Sequence, residues 1–340
     1  MIGKHSRGIL PGVLLLSACS PAGRAASVEP AASPDRPNVL LIVTDDLRCE
    51  TGAYGAAHVR TPNIDRLARR GMRFDRAYAQ ATLCSPSRAS FLTGLRPDRT
   101  GVHDNVIDYR DAMPDAVTLA QLLREHGYTT HRIGKVFHDR KEADDTAEWD
   151  AWSYPRSSDV GRRGEGRNLT GGALKWCRWR AAEGGDDDQP DGGIAREAVR
   201  FLEQSHDKPF LLALGFHSPH DPFVAPAAFF GPYPLDSQAP PASSGPRSAS
   251  AAHFSGYQRA FDRFTDTDRR EFLRAYRAAT SFLDAQVGRV LDALEASPFA
   301  DRTIVVFLSD HGYHLGEHGW WSKATLFEAA ARTPLVVSAP

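Results

Sequence analysis

The sequence predicts an α/β fold, a mostly parallel sheet covered by helices, on three observations. Asn38-Val39-Leu40-Leu41-Ile42-Val43, Phe210-Leu211-Leu212-Ala213-Leu214 and Thr303-Ile304-Val305-Val306-Phe307-Leu308 are continuous apolar runs, the pattern of strands buried on both faces. Each is followed closely by Asp, Ser or His, so polar groups collect at strand carboxyl ends, where open parallel sheets bind ligands. Segments with helical spacing separate the strands, and that alternation is the signature of the class.

The chain has 340 residues, enough for one large α/β domain or two smaller ones with a sizeable core. Its 41 Lys and Arg nearly balance 42 Asp and Glu, giving a formal net charge of −1. No global basic field is available for nucleic acid, and an anionic ligand must be met by local charges.

In chain order, Lys4 and Arg7 precede the apolar Val13-Leu14-Leu15-Leu16 and the small residues before Cys19. This is a secretory leader over residues 1–19, too short to stay as a membrane-spanning helix. Residues 20–35, rich in Ala, Pro and Ser, read as a flexible tether. The folded domain, 36–340, opens with the first strand, which delivers Thr44-Asp45-Asp46 at its tip. Thr61 as cap and Pro62 in the first turn start a helix that Gly71 stops. The next helix begins at Cys84-Ser85-Pro86-Ser87-Arg88, since Pro86 suits a first turn and no breaker precedes Gly94. Residue 84 thus sits beside a helix N-terminus, whose partial positive charge favours an anion.

Thr118 to His126 forms a further helix ended by Gly127, and Tyr128 to Ile133 the strand after it. The longest helix runs from Asp268 to Ala296, with Phe272, Tyr276, Leu283, Val287, Val290, Leu291 and Leu294 on one face. Asp268 and Glu271 read as its capping pair and Pro298 as its stop. Gln238 to Ala252, low-complexity Pro, Ser and Ala, reads as a mobile surface insertion. Leu335 to Pro340 reads as a strand in mid-domain.

Several residue groups carry little when taken singly. Paired acids after a strand are often turn or cap residues. A lone His such as His217 is more often scaffold, and a lone Lys is more often on the surface. Trp176-Cys177-Arg178-Trp179 reads first as aromatic packing and second as the lining of a sugar cleft. Asn168-Leu169-Thr170 is read as an incidental sequon. Cys49 and Cys177 are left as a pair whose bonding the sequence does not decide.

Taken together, the segments resemble a known family. Cys84-Ser85-Pro86-Ser87-Arg88 resembles the signature of type I sulfatases. The iduronate-2-sulfatase branch is similar also in Gly134-Lys135-Val136-Phe137-His138, His217-Ser218-Pro219-His220, Asp310-His311-Gly312, Leu315-Gly316-Glu317-His318-Gly319 and Lys323. The likeness runs from Arg36 onward and implies the three-layer α/β fold of the alkaline phosphatase superfamily, here with the C-terminal subdomain missing. It also implies that a maturation enzyme oxidises Cys84 to formylglycine, whose hydrate attacks sulfur in a sulfated carbohydrate. One calcium ion would be held by Asp45, Asp46, Asp310, His311 and the modified Cys84. Lys135 and Lys323 would clamp the sulfate and Arg88 the diol, with His220 protonating the leaving alcohol and His138 taking the diol proton. Tyr313 and His314 fall where substrate contacts are expected.

Leu16-Ser17-Ala18-Cys19 resembles a bacterial lipobox, implying cleavage before Cys19, a lipid anchor on its sulfur and a place in the cell envelope, with secretion as the other outcome. Two rival classes stand beside a sulfuric ester hydrolase. One is a phosphoester or phosphonate ester hydrolase of the same superfamily, and the other an inactive, shortened lipoprotein.

Overall fold

A computed structural model describes residues 36–138, 148–241 and 257–340. The leader, the tether and residues 242–252 of the low-complexity stretch lie outside the described residues. Twelve strands are formed among them: β1 (Asn38–Thr44), β2 (Met72–Arg73), β3 (Thr129–Gly134), β4 (Ala151–Ser153), β5 (Gly164–Asn168), β6 (Arg178–Ala182), β7 (Phe210–Gly215), β8 (Phe223–Pro226), β9 (Thr303–Ser309), β10 (His314–Leu315), β11 (Trp321–Ser322) and β12 (Leu335–Ser338). The longer helices are α1 (Pro62–Arg70), α2 (Cys84–Thr93), α3 (Leu119–Glu125), α4 (Pro190–Leu202) and α5 (Asp266–Ala296).

The main sheet has the order β2-β12-β9-β1-β7-β3-β4. From β9 through β4 every pairing is parallel, and β12 and β2 run antiparallel at one side. The register brings four strand tips level, with Thr44 opposite Ser309 and Gly134 opposite Gly215. Whatever follows those residues is therefore delivered to one edge of the sheet.

The unbroken apolar character of β1 has a direct cause. Leu40 and Ile42 point into one core layer with α1, α4 and α5, whereas Leu41 and Val43 point into the other with α2 and α3. Side chains alternate faces along a strand, so a strand covered on both sides has no polar face to keep. Helix α5 supplies Leu283, Val287, Val290, Leu291 and Leu294 to the first layer. Truncating Leu291, which is fully buried, to Ala would cost about 2–5 kcal/mol. The other half of α5 packs Phe272 and Tyr276 into a second cluster with Trp179, Phe223 and Trp321, under the small sheet β5-β6-β8.

Helix caps agree with the sequence in part. Thr118 and Gln121 close a capping box on α3. On α5 the box is formed by Thr265 and Asp268, so Asp268 is the third helical residue and Glu271 instead binds Arg167 and the Trp179 indole. Thr61 does not cap α1 with its side chain. The amides of Asn63 and Ile64 donate to Asp284 of α5, an acid more than two hundred positions away. Local spacing cannot reveal a cap supplied by another helix. Gln238 is buried and donates to the Pro234 carbonyl while accepting from Arg277, so the low-complexity stretch starts inside the fold. Cys49 and Cys177 are both free thiols.

Candidate active site

The level strand tips assemble the site. Beyond Thr44, β1 presents Asp45 and Asp46; beyond Ser309, β9 presents Asp310 and His311; beyond Gly134, β3 presents Lys135. Two glycines make the last of these fit. Gly134 has φ +81, and a Cβ on Gly215 would lie 2.0 Å from the Lys135 carbonyl carbon. Asp46 also sits in the left-handed region, with φ 65. Its backbone is held there from both sides, because its amide donates to Asp310 Oδ1 at 3.1 Å and its carbonyl accepts from the Tyr276 hydroxyl at 2.8 Å.

Helix α2 begins at Cys84 and brings the thiol to these acids. Cys84 Sγ lies 3.4 Å from Asp45 Oδ1 and 3.5 Å from His311 Nε2, and Lys323 Nζ donates to it at 3.1 Å. Lys323 also donates to Asp46 Oδ1 at 2.7 Å, and Lys135 pairs with Asp45. One turn further along α2, the fully buried Arg88 donates through Nε to Asp310 Oδ2 at 3.0 Å. Its remaining N–H groups reach the carbonyls of Thr44, Lys135 and Val136, so one guanidinium ties α2 to three strand tips.

Charge controls the protonation states. Burial pushes the Asp45 carboxyl up, yet Lys135, His220, Arg88 and Lys323 together hold it well below the usual carboxylate range. Burial and Asp45 also raise the Cys84 thiol, but Lys323, Lys135 and a hydrogen bond from His138 bring it well below an ordinary thiol. Burial lifts Asp310 to about 7 against the pull of His311 and Arg88. Burial and Lys323 disfavour a charged His220, yet Asp46, Asp45 and Asp221 push its pKa up to about 10.

Two sets of ligand atoms can surround a cation. Asp45, Asp46, Cys84 and His220 form one, and Asp45, Cys84, Asp310 and His311 the other, with atoms within 4.8 Å of one another in each. Each set pairs two carboxylates with a histidine and Cys84, the carboxylates suit a hard divalent ion, and the buried Oδ2 of Asp46 has no hydrogen-bond partner among the described residues.

The cluster opens into a cavity of about 810 Å³ whose lining includes Asp45, Lys135, His138, His217 and His220. All ten residues expected from the sequence therefore lie in or beside one centre. His220 Nε2 stands 3.8 Å from Asp46 Oδ2, and its ring also binds the Asp221 carbonyl. Tyr313 and His314 do not line this cavity, contrary to expectation. The Tyr313 hydroxyl donates to Asp221 at 2.6 Å from within the aromatic cluster, and His314 is buried against Thr325. Beyond Asp310 and His311 the chain turns both side chains back into the core.

Sequence reasoning missed Asp191, Asp221, Tyr154 and Arg180. Asp191, at the start of α4, accepts from the amides of His217 and Ser218 at 2.8 and 2.9 Å and so sets the loop that carries His220. Its signal was the Pro190-Asp191 pair at a helix start. Asp221 stands beside His220 and had the same visibility. Tyr154 meets His217 edge-on at 5.2 Å, a contact no local pattern announces. Asn168 takes no part in the site; its side-chain amide is bound within its own turn, to Leu174, Thr170 and Gly172.

Comparison with known proteins follows the same lines. The sulfatase family profile matches residues 37–340. Mouse iduronate 2-sulfatase is 36% identical over 330 residues, covering 90% of this chain and 60% of the relative. The chain thus spans less than two thirds of that protein's length. A solved structure of a protein in complex with its substrate D-glucosamine-2-N,6-O-disulfate superposes with a TM-score of 0.70 at 25% identity, over 90% of this chain and 71% of the other. The phosphonate monoester hydrolase of Agrobacterium radiobacter shares the fold, with a TM-score of 0.69 at 24% identity over 90% of this chain and 68% of the other. On its profile, its relatives and its fold, this chain belongs to the sulfatase family.

Proposed function

We propose that the chain hydrolyses sulfate esters of a sulfated sugar or glycan, with residue 84, matured from Cys to formylglycine, as the nucleophile. The observation that carries this reading is the convergence of three buried carboxylates, His311 and three cations on Cys84, next to a cavity lined by Asp45, Lys135, His138 and His220. A hydrated aldehyde at residue 84 offers one hydroxyl to attack sulfur and a second to expel sulfate afterwards. Asp45, Asp46, Asp310, His311 and residue 84 are the groups that would hold a calcium ion, whose contribution is Lewis-acid polarisation of a sulfate oxygen.

The chain's own residues divide the remaining work. Lys135 and Lys323 flank residue 84 and bind the sulfate oxygens, in a setting where fixed charges gain strength because water is largely excluded. Arg88 fixes the acids and the strand tips rather than meeting solvent. His220, on the cavity wall, gives its proton to the leaving alcohol oxygen as the sulfur–oxygen bond breaks. His138 takes the proton of the second hydroxyl as sulfate departs, and water then restores the diol. The homology to iduronate 2-sulfatase supports a glycan as the source of the ester. The lipobox-like leader supports a lipid on Cys19 and a site of action in the cell envelope, which the mass of the mature N-terminus tests.

The chain co-produced with a formylglycine-generating enzyme should turn over an aryl sulfate far faster than the matching aryl phosphate. Preference for the phosphate would overturn the sulfatase reading in favour of phosphoester hydrolysis.

A further inference from the structure

Strand β6 carries a feature that the reaction does not use. Arg178 and Arg180 are two residues apart, so both side chains leave the same face of the sheet, and both line the cavity. Trp179 between them points the opposite way, packing on Phe230 and donating its indole N–H to Glu271 at 2.7 Å. Among the described residues no acid lies within ion-pair distance of either arginine. The acids of the same cavity are already engaged: Asp45 by Lys135 and Arg88, Asp191 by two amides, and Asp221 by Tyr313 and His220. The wall formed by β6 is therefore a strip of unbalanced positive charge.

Its place relative to the reacting centre follows from the topology. Arg180 is the register partner of Val224 on β8, which also lines the cavity. Val224 follows His220 by four residues, at most about 14 Å of chain, and paired strands lie about 4.8 Å apart. An anion on these arginines and a sulfate at residue 84 can belong to one short saccharide.

Resting on the hydrolase reading above, we propose that Arg178 and Arg180 form a second anion subsite, which selects substrates carrying a further sulfate or carboxylate besides the ester that is cleaved. Guanidinium groups recognise either anion through paired N–H donors, so the shared chemistry is a planar or tetrahedral oxyanion. The pair determines specificity and does not touch the reacting atoms.

Binding is measured with the full chain in its unmatured Cys84 form, by titration calorimetry with three ligands: a monosulfated neutral hexose, a disulfated disaccharide, and a monosulfated disaccharide bearing a uronate carboxylate. The double variant Arg178→Gln/Arg180→Gln should bind one or both charged disaccharides about tenfold to 100-fold more weakly, as expected for lost charge-assisted hydrogen bonds. The neutral hexose should change less than about twofold, and Arg178→Lys/Arg180→Lys should recover part of the loss. Whichever disaccharide loses more identifies the preferred anion. Equal binding by wild type and variant, or an equal loss for all three ligands, would overturn the proposal. Aryl sulfate turnover by the matured chain separates this from the hydrolase reading. A binding difference without turnover would sink the hydrolase and leave the subsite standing, and turnover without a binding difference would do the reverse.

Discussion

Arg88 offers the sharpest test of how the site is held together. Its side chain is fully buried between Asp310 and Asp45 and also satisfies the carbonyls of Thr44, Lys135 and Val136. Arg88→Met keeps much of the volume and removes the charge and every donor. Breaking a buried ion pair from one side costs about 3–5 kcal/mol, and each carbonyl left without a donor adds about 1 kcal/mol or more. Against a total stability of about 5–15 kcal/mol, this brings the domain close to its unfolding threshold. The assay is thermal and urea unfolding followed by tryptophan fluorescence, with a fall in Tm of about 10 °C or more expected. The double variant Arg88→Met/Asp310→Asn removes the stranded charge and should be more stable than Arg88→Met alone, giving a coupling of about 1–3 kcal/mol. A Tm for Arg88→Met within about 2 °C of wild type would refute the reasoning. So would a double variant in which the two costs simply add.

Three further outcomes are expected. His220→Ala should lower kcat for a sugar sulfate by about 10²–10⁴-fold but spare an activated aryl sulfate, whose leaving group needs no proton, while His138→Ala should depress both alike; equal losses in His220→Ala would remove it as the acid. Calcium added to chelator-treated chain should raise Tm progressively, by about 2.7 kcal/mol of stability at one hundred times its Kd, and Asp46→Asn should abolish most of the shift; an unchanged Tm in wild type would count against a metal at this site. Burial raises the Glu317 carboxyl, but the neighbouring His314 ring, the Arg48 charge and the Leu315 amide hold it below the ordinary glutamate range. Its folded pKa is depressed, so its stabilisation is complete above the unfolded value of about 4.3 and fades as the pH falls further. The stability gap between wild type and Glu317→Gln, read by urea unfolding, should be present at pH 7 and shrink toward pH 3; a constant gap would contradict this assignment.

The parallel sheet was legible because β1, β7 and β9 are covered on both faces and show it as unbroken apolar runs. Asp45, Asp46, Lys135, Asp310 and His311 meet because strand tips are fixed points: once Thr44 pairs with Ser309 and Gly134 with Gly215, the residues that follow must converge, whereas Cys84, Arg88, His138, His220 and Lys323 were singled out through the family resemblance. What the sequence hid depends on contacts between distant segments. Asp284 caps α1 from another helix, Asp191 fixes the His217 loop through backbone amides, and nothing local distinguishes either from a surface acid. Tyr313 misled for a related reason, since proximity in sequence to His311 says nothing about which way the next turn faces. Arg178 was visible only as part of an aromatic tetrapeptide. Its neighbours Trp176 and Trp179 do pack, as expected, and it is the strand's alternation that sends the arginine to the opposite side.

The central claim is that an aldehyde at residue 84, set among Asp45, Asp46, Asp310 and His311, performs sulfate ester hydrolysis. Its most direct measurement compares preparations with different degrees of maturation, scoring the formylglycine fraction of the residue 84 peptide by mass spectrometry against kcat for an aryl sulfate. Turnover should rise in proportion to that fraction and vanish in chain that carries only the thiol. Undiminished turnover by the thiol form, or none at full conversion, would contradict the account.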